Sequence, residues 1–188
     1  MDEAMSLFIR HAKPPEGLNT ASAIRATFDS SGSSIQKIIG PGSLIRLVDG
    51  SRYNPNHISP AEYWMDEEVF RRALAAAHQD LKGQGHGARQ DLLGLHARFQ
   101  LRDGLAVSRD WSNLDRYIRL TLPAGASIYA SVGRTRTQPY YSSSKPEDQA
   151  RANAAGVSLP GLSQQIVINF QHEANKPARR FITGPHLF

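Results

Sequence analysis

The chain has no cysteine, so a disulfide frame, a thiolate metal site and a thiol nucleophile are all excluded. That absence leaves the compartment open. No run approaches the roughly 18 apolar residues a membrane-spanning helix needs. The opening residues, Met1-Asp2-Glu3-Ala4-Met5, are acidic and lack a basic flank before an apolar core, so no Sec signal is expected. There is no HExxH, no His/Cys ligand spacing, no Walker-A sequence, no strand-linked GxGxxG and no GxSxG elbow. The 7 histidines are scattered outside any motif, and no metal site is expected.

What is present is an ordinary globular composition, with 40% apolar and 21% charged residues in 188. That is enough for one domain with a real core. The charge is uneven. Residues 1–94 hold 10 Lys/Arg against 11 Asp/Glu, and residues 95–188 hold 12 against 6, so the halves carry −1 and +6. A basic half suits an anionic partner: a phosphate-bearing small molecule, a nucleic acid or an acidic protein. A solvated Arg-rich face accounts for it equally.

Residues 1–40 read as an N-terminal arm or connector, with a short helix after Thr20 and a loop at Ser30-Ser-Gly-Ser-Ser34. Gly40-Pro-Gly42 is a stop, and residues 41–188 form the expected domain. Ser43 to Val48 reads as its first strand, with Leu44, Arg46 and Val48 on one face and Ile45 and Leu47 on the other. If buried, Arg46 needs a partner. Either a structural carboxylate or a bound phosphate suits its planar fork of donors.

Ser59-Pro-Ala-Glu62 predicts a helix start, with Ser59 as N-cap, Pro60 at N1 and Glu62 closing a capping box. That helix is expected to reach about Leu81, with Met65, Val69, Phe70 and Leu74 inward. Tyr63 and Trp64 then fall in its first turn, either stapling it to the core or offering an aromatic wall to a flat ring. A loop follows at Lys82–Ala88, then a second helix over Asp91–Arg102 and a short strand near Gly104–Ser108. From Tyr117 the pattern is β: Tyr117–Leu122, a Pro123-Ala-Gly125 turn, Ser127–Val132, a polar insertion over Tyr140–Gly156, Gln165–Phe170, and Arg179–Thr183. Early helices and late antiparallel strands make the class α+β.

The order Gly42-Ser-Leu-Ile-Arg46, Tyr63-Trp64, Leu122-Pro-Ala-Gly-Ala-Ser-Ile-Tyr-Ala-Ser-Val-Gly133, Gln138-Pro-Tyr-Tyr and Leu159-Pro-Gly-Leu-Ser-Gln-Gln165-Ile resembles bacterial NAD glycohydrolase toxin domains. These are related to the tuberculosis necrotizing toxin and to similar polymorphic toxins. The resemblance covers roughly residues 40–170. It implies a small ADP-ribosyltransferase-like split antiparallel β core. Arg46 would hold the NAD phosphates and Gln165 would be the active-site glutamine, with Gln138, Gln164, Tyr63 and Trp64 lining the pocket. NAD or NADP would be substrate, with no further cofactor. Delivery into a target cell and a cognate immunity protein are also implied. The family's glycine run is thinned here to Gly161-Leu162-Ser163, and Gln164 beside Gln165 leaves the glutamine open by one residue. A one-residue shift on a strand reverses the face.

The chemistry is compatible. Nicotinamide leaves a pyridinium as a neutral molecule, so the paired carboxylates of ordinary glycosidases are dispensable. Neither Glu147 nor Glu173 lies two residues from the glutamine pair, so the Gln/Glu-x-Glu signature of protein-modifying transferases is missing. Hydrolysis is therefore expected before ADP-ribosyl transfer to a protein or nucleic acid. A basic nucleic-acid-binding or nuclease module comes third, because no strand interleaves aromatic and basic residues as a stacking platform would.

Overall fold

The computed structural model describes residues 8–18, 28–83, 114–136, 138–139, 158–159 and 164–188, together with Gly85, Leu93, Ala97 and Leu101. The architecture is α+β and dominated by antiparallel sheet. Its strands are β1 (Phe8–His11), β2 (Phe28–Ile39), β3 (Gly42–Val48), β4 (Glu62–Asp66), β5 (Arg116–Leu122), β6 (Ser127–Thr135), β7 (Gln138–Pro139), β8 (Ser158–Leu159), β9 (Gln164–Ile168) and β10 (Ile182–His186). Eight of them form one sheet in the order β1-β2-β6-β9-β4-β3-β5-β10, and β7 pairs with β8 separately. Helix α1 spans Glu67–Gly83.

The sheet is organised by a bent ribbon. β2 pairs with β6 and β3 pairs with β5, all antiparallel. β2 passes into β3 through Gly40-Pro41, and β5 passes into β6 through Pro123–Ala126. The Pro123-Ala-Gly125 turn therefore makes no β5–β6 hairpin but carries the chain from one half of the sheet to the other. The two bends touch, with the Gly40 N–H donating to the Ala126 carbonyl at 2.9 Å. A Cβ on Gly40 would stand 2.5 Å from the Leu122 carbonyl oxygen and closer still to that of Pro123. Both are backbone atoms, so Gly40→Ala is expected to cost about 3 kcal/mol, the upper end for overpacking, read as a lower urea midpoint.

Bending brings the apolar faces of the two halves together. Ile38, Ile128, Ala130, Val132, Ile166 and Ile168 from one half meet Leu44, Val48, Ile118, Leu120 and Leu122 from the other, with Trp64 and Phe170 among them. β4 belongs to both halves: Glu62, Tyr63 and Trp64 pair with β9, and Met65 and Asp66 with β3. Outside the β3–β5 half, α1 packs Phe70, Val69, Ala73 and Leu74 onto Ile45, Leu47, Met65 and Tyr117. Outside the β9 half, Phe28 covers Val167 beside Ala61.

Several expectations are corrected. Residues read as an arm supply β1 and β2, and Ser30–Ser34 is strand rather than loop. β2 is held by its pairing with β6 at Phe28 and from Ser33 to Ile39, and the residues between them form an irregularity in which Gly32 takes a positive φ. The helix starts at Glu67, not after Ser59, and its first-turn cap is Asp66, whose Oδ1 accepts the Glu68 N–H at 2.8 Å. Ser59 instead accepts the Ala61 N–H in a local turn, at 3.2 Å. The aromatic and apolar alternation of Glu-Tyr-Trp-Met-Asp over Glu62–Asp66 takes the strand because both its edges find partners. Residues 179–181, expected to open the last strand, belong instead to a 3-10 helix over Lys176–Phe181 with Pro177 near its start, and β10 follows.

Leu93, Ala97 and Leu101 are helical and four residues apart, and Ala97 and Leu101 are buried. The rest of the expected second helix lies outside the described residues. So do His86, the 104–108 strand and the 140–156 insertion.

Candidate functional site

The face alternation expected for β3 holds: Leu44 and Val48 join the inner core, and Ile45 and Leu47 the outer cluster with α1. Arg46 therefore points inward. Its partner is a carboxylate, with Arg46 Nη1 2.7 Å from Glu62 Oε2. The Glu62 side chain is 4% exposed and that of Arg46 is 27% exposed, so the pair is sealed on one side and open on the other. An arginine has five N–H donors, so this contact leaves capacity for a second acceptor.

Trp64 lies beside the pair. It shares the inner face with Glu62 and stacks edge-on against Phe170, with ring centroids 6.0 Å apart. Its indole Nε1 is buried without a hydrogen-bond partner. A buried unpaired donor costs about 1–3 kcal/mol, and an acceptor supplied by a ligand is one way to recover it.

The open side of Arg46 is framed by the loop after β3 and by the 3-10 helix. Tyr53 packs against the inner core, and Arg179 Nη2 donates to the Pro55 carbonyl at 2.8 Å. Burial raises the Tyr53 phenol above its ordinary pKa; Glu62 adds to the rise, and Arg46 and Arg179 oppose it. At neutral pH the phenol therefore stays protonated and can donate a hydrogen bond. Among the described residues, the charges that act on Tyr53 are two guanidinium groups against one carboxylate, which favours an anion.

The glutamines divide between the faces. Ile166 and Ile168 belong to the inner core and Val167 to the outer cluster, so alternation places Gln164 inward and Gln165 outward. Gln164 is exposed at the start of β9, while Gln165 is 5% exposed and pairs in register with Gly133. Arg46 and Gln165, expected to converge, thus stand on opposite faces of the sheet. Arg46, Trp64 and Gln164 share one. Tyr63, expected to wall the pocket beside Trp64, stands on the outer face at 38% exposure. Gln138 lies in the β7–β8 ladder, a separate sheet.

Glu62, Tyr53 and Arg179 were not expected at this site. Glu62 carried a signal, since it stands two residues before Trp64 in a strand-like alternation, but Ser59-Pro60 made it look like a helix cap. Tyr53 is brought in by the loop after β3 and Arg179 by the 3-10 helix, and no local pattern marks them.

Among the described residues no cluster of three or more His, Asp or Glu could hold a metal ion, and no helix is long and apolar enough to cross a membrane. Compared with known protein families, with curated proteins and with solved structures, the chain finds no match in any of the three.

Proposed function

We propose that the chain hydrolyses NAD(P)+ to nicotinamide and ADP-ribose or its phosphate, with its site on the inner face around Arg46, Trp64 and Gln164. The observation that carries the reading is the half-open Arg46 beside the buried, unpartnered Trp64 indole N–H. The bent antiparallel sheet, with β4 shared between its halves, is in keeping with the split core that the resemblance implies.

In this reading Arg46, held by Glu62 through one nitrogen, offers its remaining donors to the pyrophosphate. Gln164 replaces Gln165 as the functional carboxamide. From strand spacing and rise, its Cα lies roughly 12 Å from that of Arg46, a separation a dinucleotide spans. The bond between ribose C1′ and the nicotinamide nitrogen breaks, and its electron pair neutralises the pyridinium. The Gln164 carbonyl dipole stabilises the oxocarbenium ion, and a neutral carboxamide does not repel the pyrophosphate. Water adds to C1′ and loses its proton to solvent. Among the described residues the carboxylate in contact with Arg46 is Glu62, and that engagement favours hydrolysis over transfer to a macromolecule. A secreted or delivered toxin with a cognate immunity protein is part of the same proposal.

The test is incubation with etheno-NAD and etheno-NADP, following fluorescence and nicotinamide release. We expect turnover by the parent chain and a loss of about 100-fold in Gln164→Ala, the scale for removing one stabilising dipole. Gln165→Ala should retain turnover. Absence of turnover at micromolar enzyme would sink the proposal, and loss confined to Gln165→Ala would return the site to the outer face. Biotinylated NAD that marks a protein or nucleic acid would identify a transferase instead.

A further inference from the structure

The inner face runs on past Arg46, and the groups at its far end take no part in the chemistry proposed above. β9 pairs Ile166 with Trp64 and Ile168 with Glu62, so Gln164 lies toward the Asp66 end of β4. β3 runs antiparallel to β4, with Leu44 opposite Asp66. Gln164 is therefore at the end where β3 begins, and the loop that leaves Val48 is on the other side of Arg46. From Arg46 to Val48 is two residues of strand, roughly 7 Å. Tyr53 stands in that loop, half-buried against the inner core. Arg179 reaches the same loop from the 3-10 helix, where its Nη2 donates to the Pro55 carbonyl at 2.8 Å. It too is half-buried, and among the described residues no carboxylate lies within ion-pair distance of it. One hydrogen bond leaves most of its five N–H donors for an acceptor from outside.

We propose that Arg179 and Tyr53 take the 2′-phosphate of an adenosine, which makes NADP+ the preferred substrate over NAD+. This rests on the hydrolase reading. With the reacting ribose at Gln164 and the pyrophosphate at Arg46, the adenosine continues away from Gln164, to the end where Tyr53 and Arg179 stand. The group by which NADP+ differs from NAD+ at that end is a phosphomonoester. A guanidinium fork without a carboxylate partner matches it, as an arginine does in dinucleotide sites that select NADP. The Tyr53 phenol, kept protonated by burial, donates a further hydrogen bond. A free 2′-hydroxyl would instead be met by a carboxylate, and Glu62 is engaged by Arg46. NAD+ leaves the Arg179 fork without its anion, which is how a site rejects an analogue that lacks one polar group.

The experiment is titration calorimetry of the full chain with adenosine 2′,5′-bisphosphate and with adenosine 5′-monophosphate, which lacks the 2′-phosphate. The bisphosphate should bind about 30-fold more tightly, the scale for a hydrogen bond to a charged group. Arg179→Met should remove that advantage and leave the monophosphate affinity within about twofold. Arg179→Lys keeps the charge without the planar fork; it should fall between the two, and it serves where the methionine variant does not fold. Tyr53→Phe should weaken the bisphosphate about fivefold. Arg180→Met, whose guanidinium sits over the Phe181 ring 4.7 Å from its centroid, should change neither compound. Equal affinity of the parent for the two compounds would overturn the proposal, and so would an undiminished advantage in the Arg179 variants. Equal loss of both compounds at an unchanged urea midpoint would also overturn it, by placing the 5′-phosphate at Arg179. Turnover separates this inference from the reading beneath it. Equal kcat/KM for etheno-NAD and etheno-NADP overturns the preference and leaves the hydrolase standing. Binding of the bisphosphate through Arg179 with neither dinucleotide consumed overturns the hydrolase and leaves the phosphate site.

Discussion

Arg46→Met is expected to lower unfolding stability by about 3 kcal/mol, and Glu62→Gln in the same chain to return about 2 kcal/mol of that loss. Glu62 is almost sealed, and its ion-pair partner among the described residues is Arg46. Removing the guanidinium leaves a buried charge uncompensated, which typically costs 3–5 kcal/mol. The low end applies because the Arg46 side is partly open to water. Neutralising Glu62 in the variant removes the stranded charge, and the double change should therefore be much milder than the sum of the singles. Urea midpoints of the four chains measure it. Additive effects would show that the 2.7 Å contact contributes no coupling. The result also bears on activity: loss of turnover in Arg46→Met alone cannot separate phosphate binding from folding, whereas Arg46→Met/Glu62→Gln, restored in stability and still inactive, can.

Asn175→Ala is expected to cost about 4 kcal/mol, a fall of roughly 10 °C in Tm for a chain of this size. Asn175 is fully buried. Its Oδ1 accepts the Tyr129 N–H at 2.8 Å, and its Nδ2 donates to the Tyr129 carbonyl at 2.9 Å and the Asn169 carbonyl at 3.0 Å. The β6–β9 ladder ends at Ala130 opposite Ile168, so the next residue, Tyr129, has lost its strand partner on that side. The carboxamide takes the place of a backbone amide and completes the ladder. Alanine strands three polar groups at about 1–3 kcal/mol each, less what water recovers. Asn175→Asp should be no better, because it keeps the acceptor but turns a carboxylate oxygen toward two carbonyls. Calorimetry of both variants decides it. A change within 1 kcal/mol for Asn175→Ala would mean that the β6 edge is held by other groups.

Much of the sheet was legible because strand alternation is a local property. Alternation sends Leu44, Arg46 and Val48 to one face and Ile45 and Leu47 to the other, and Leu44 and Val48 stand in the inner core with Ile45 and Leu47 in the outer cluster. The β-branched run after Gln165 predicts a strand, and it lies in β9. Alternation also exposed the weak point, since a glutamine ambiguous by one residue is ambiguous between faces. Less legible were stretches whose local composition suggests a different element. Ser30–Ser34 has the composition of a loop but lies in β2, and Ser59–Glu62 has the spacing of a capping box but leads into β4.

From the residues alone come the α+β class, the placing of Arg46 on one face with Leu44 and Val48, the strand-ending Gly-Pro and Pro-Ala-Gly segments and the absence of thiol chemistry. Each follows from backbone preference or from side-chain type, which act within a few residues. The tertiary structure decided that those segments fold one ribbon onto itself rather than closing a hairpin. It also decided that Glu62 meets Arg46 and that Gln164, not Gln165, shares their face. Those are matters of which strand lies beside which, and pairing across 46 to 113 residues, as in Asn175 to Tyr129 or Gln171 to Ile58, has no signature in local order.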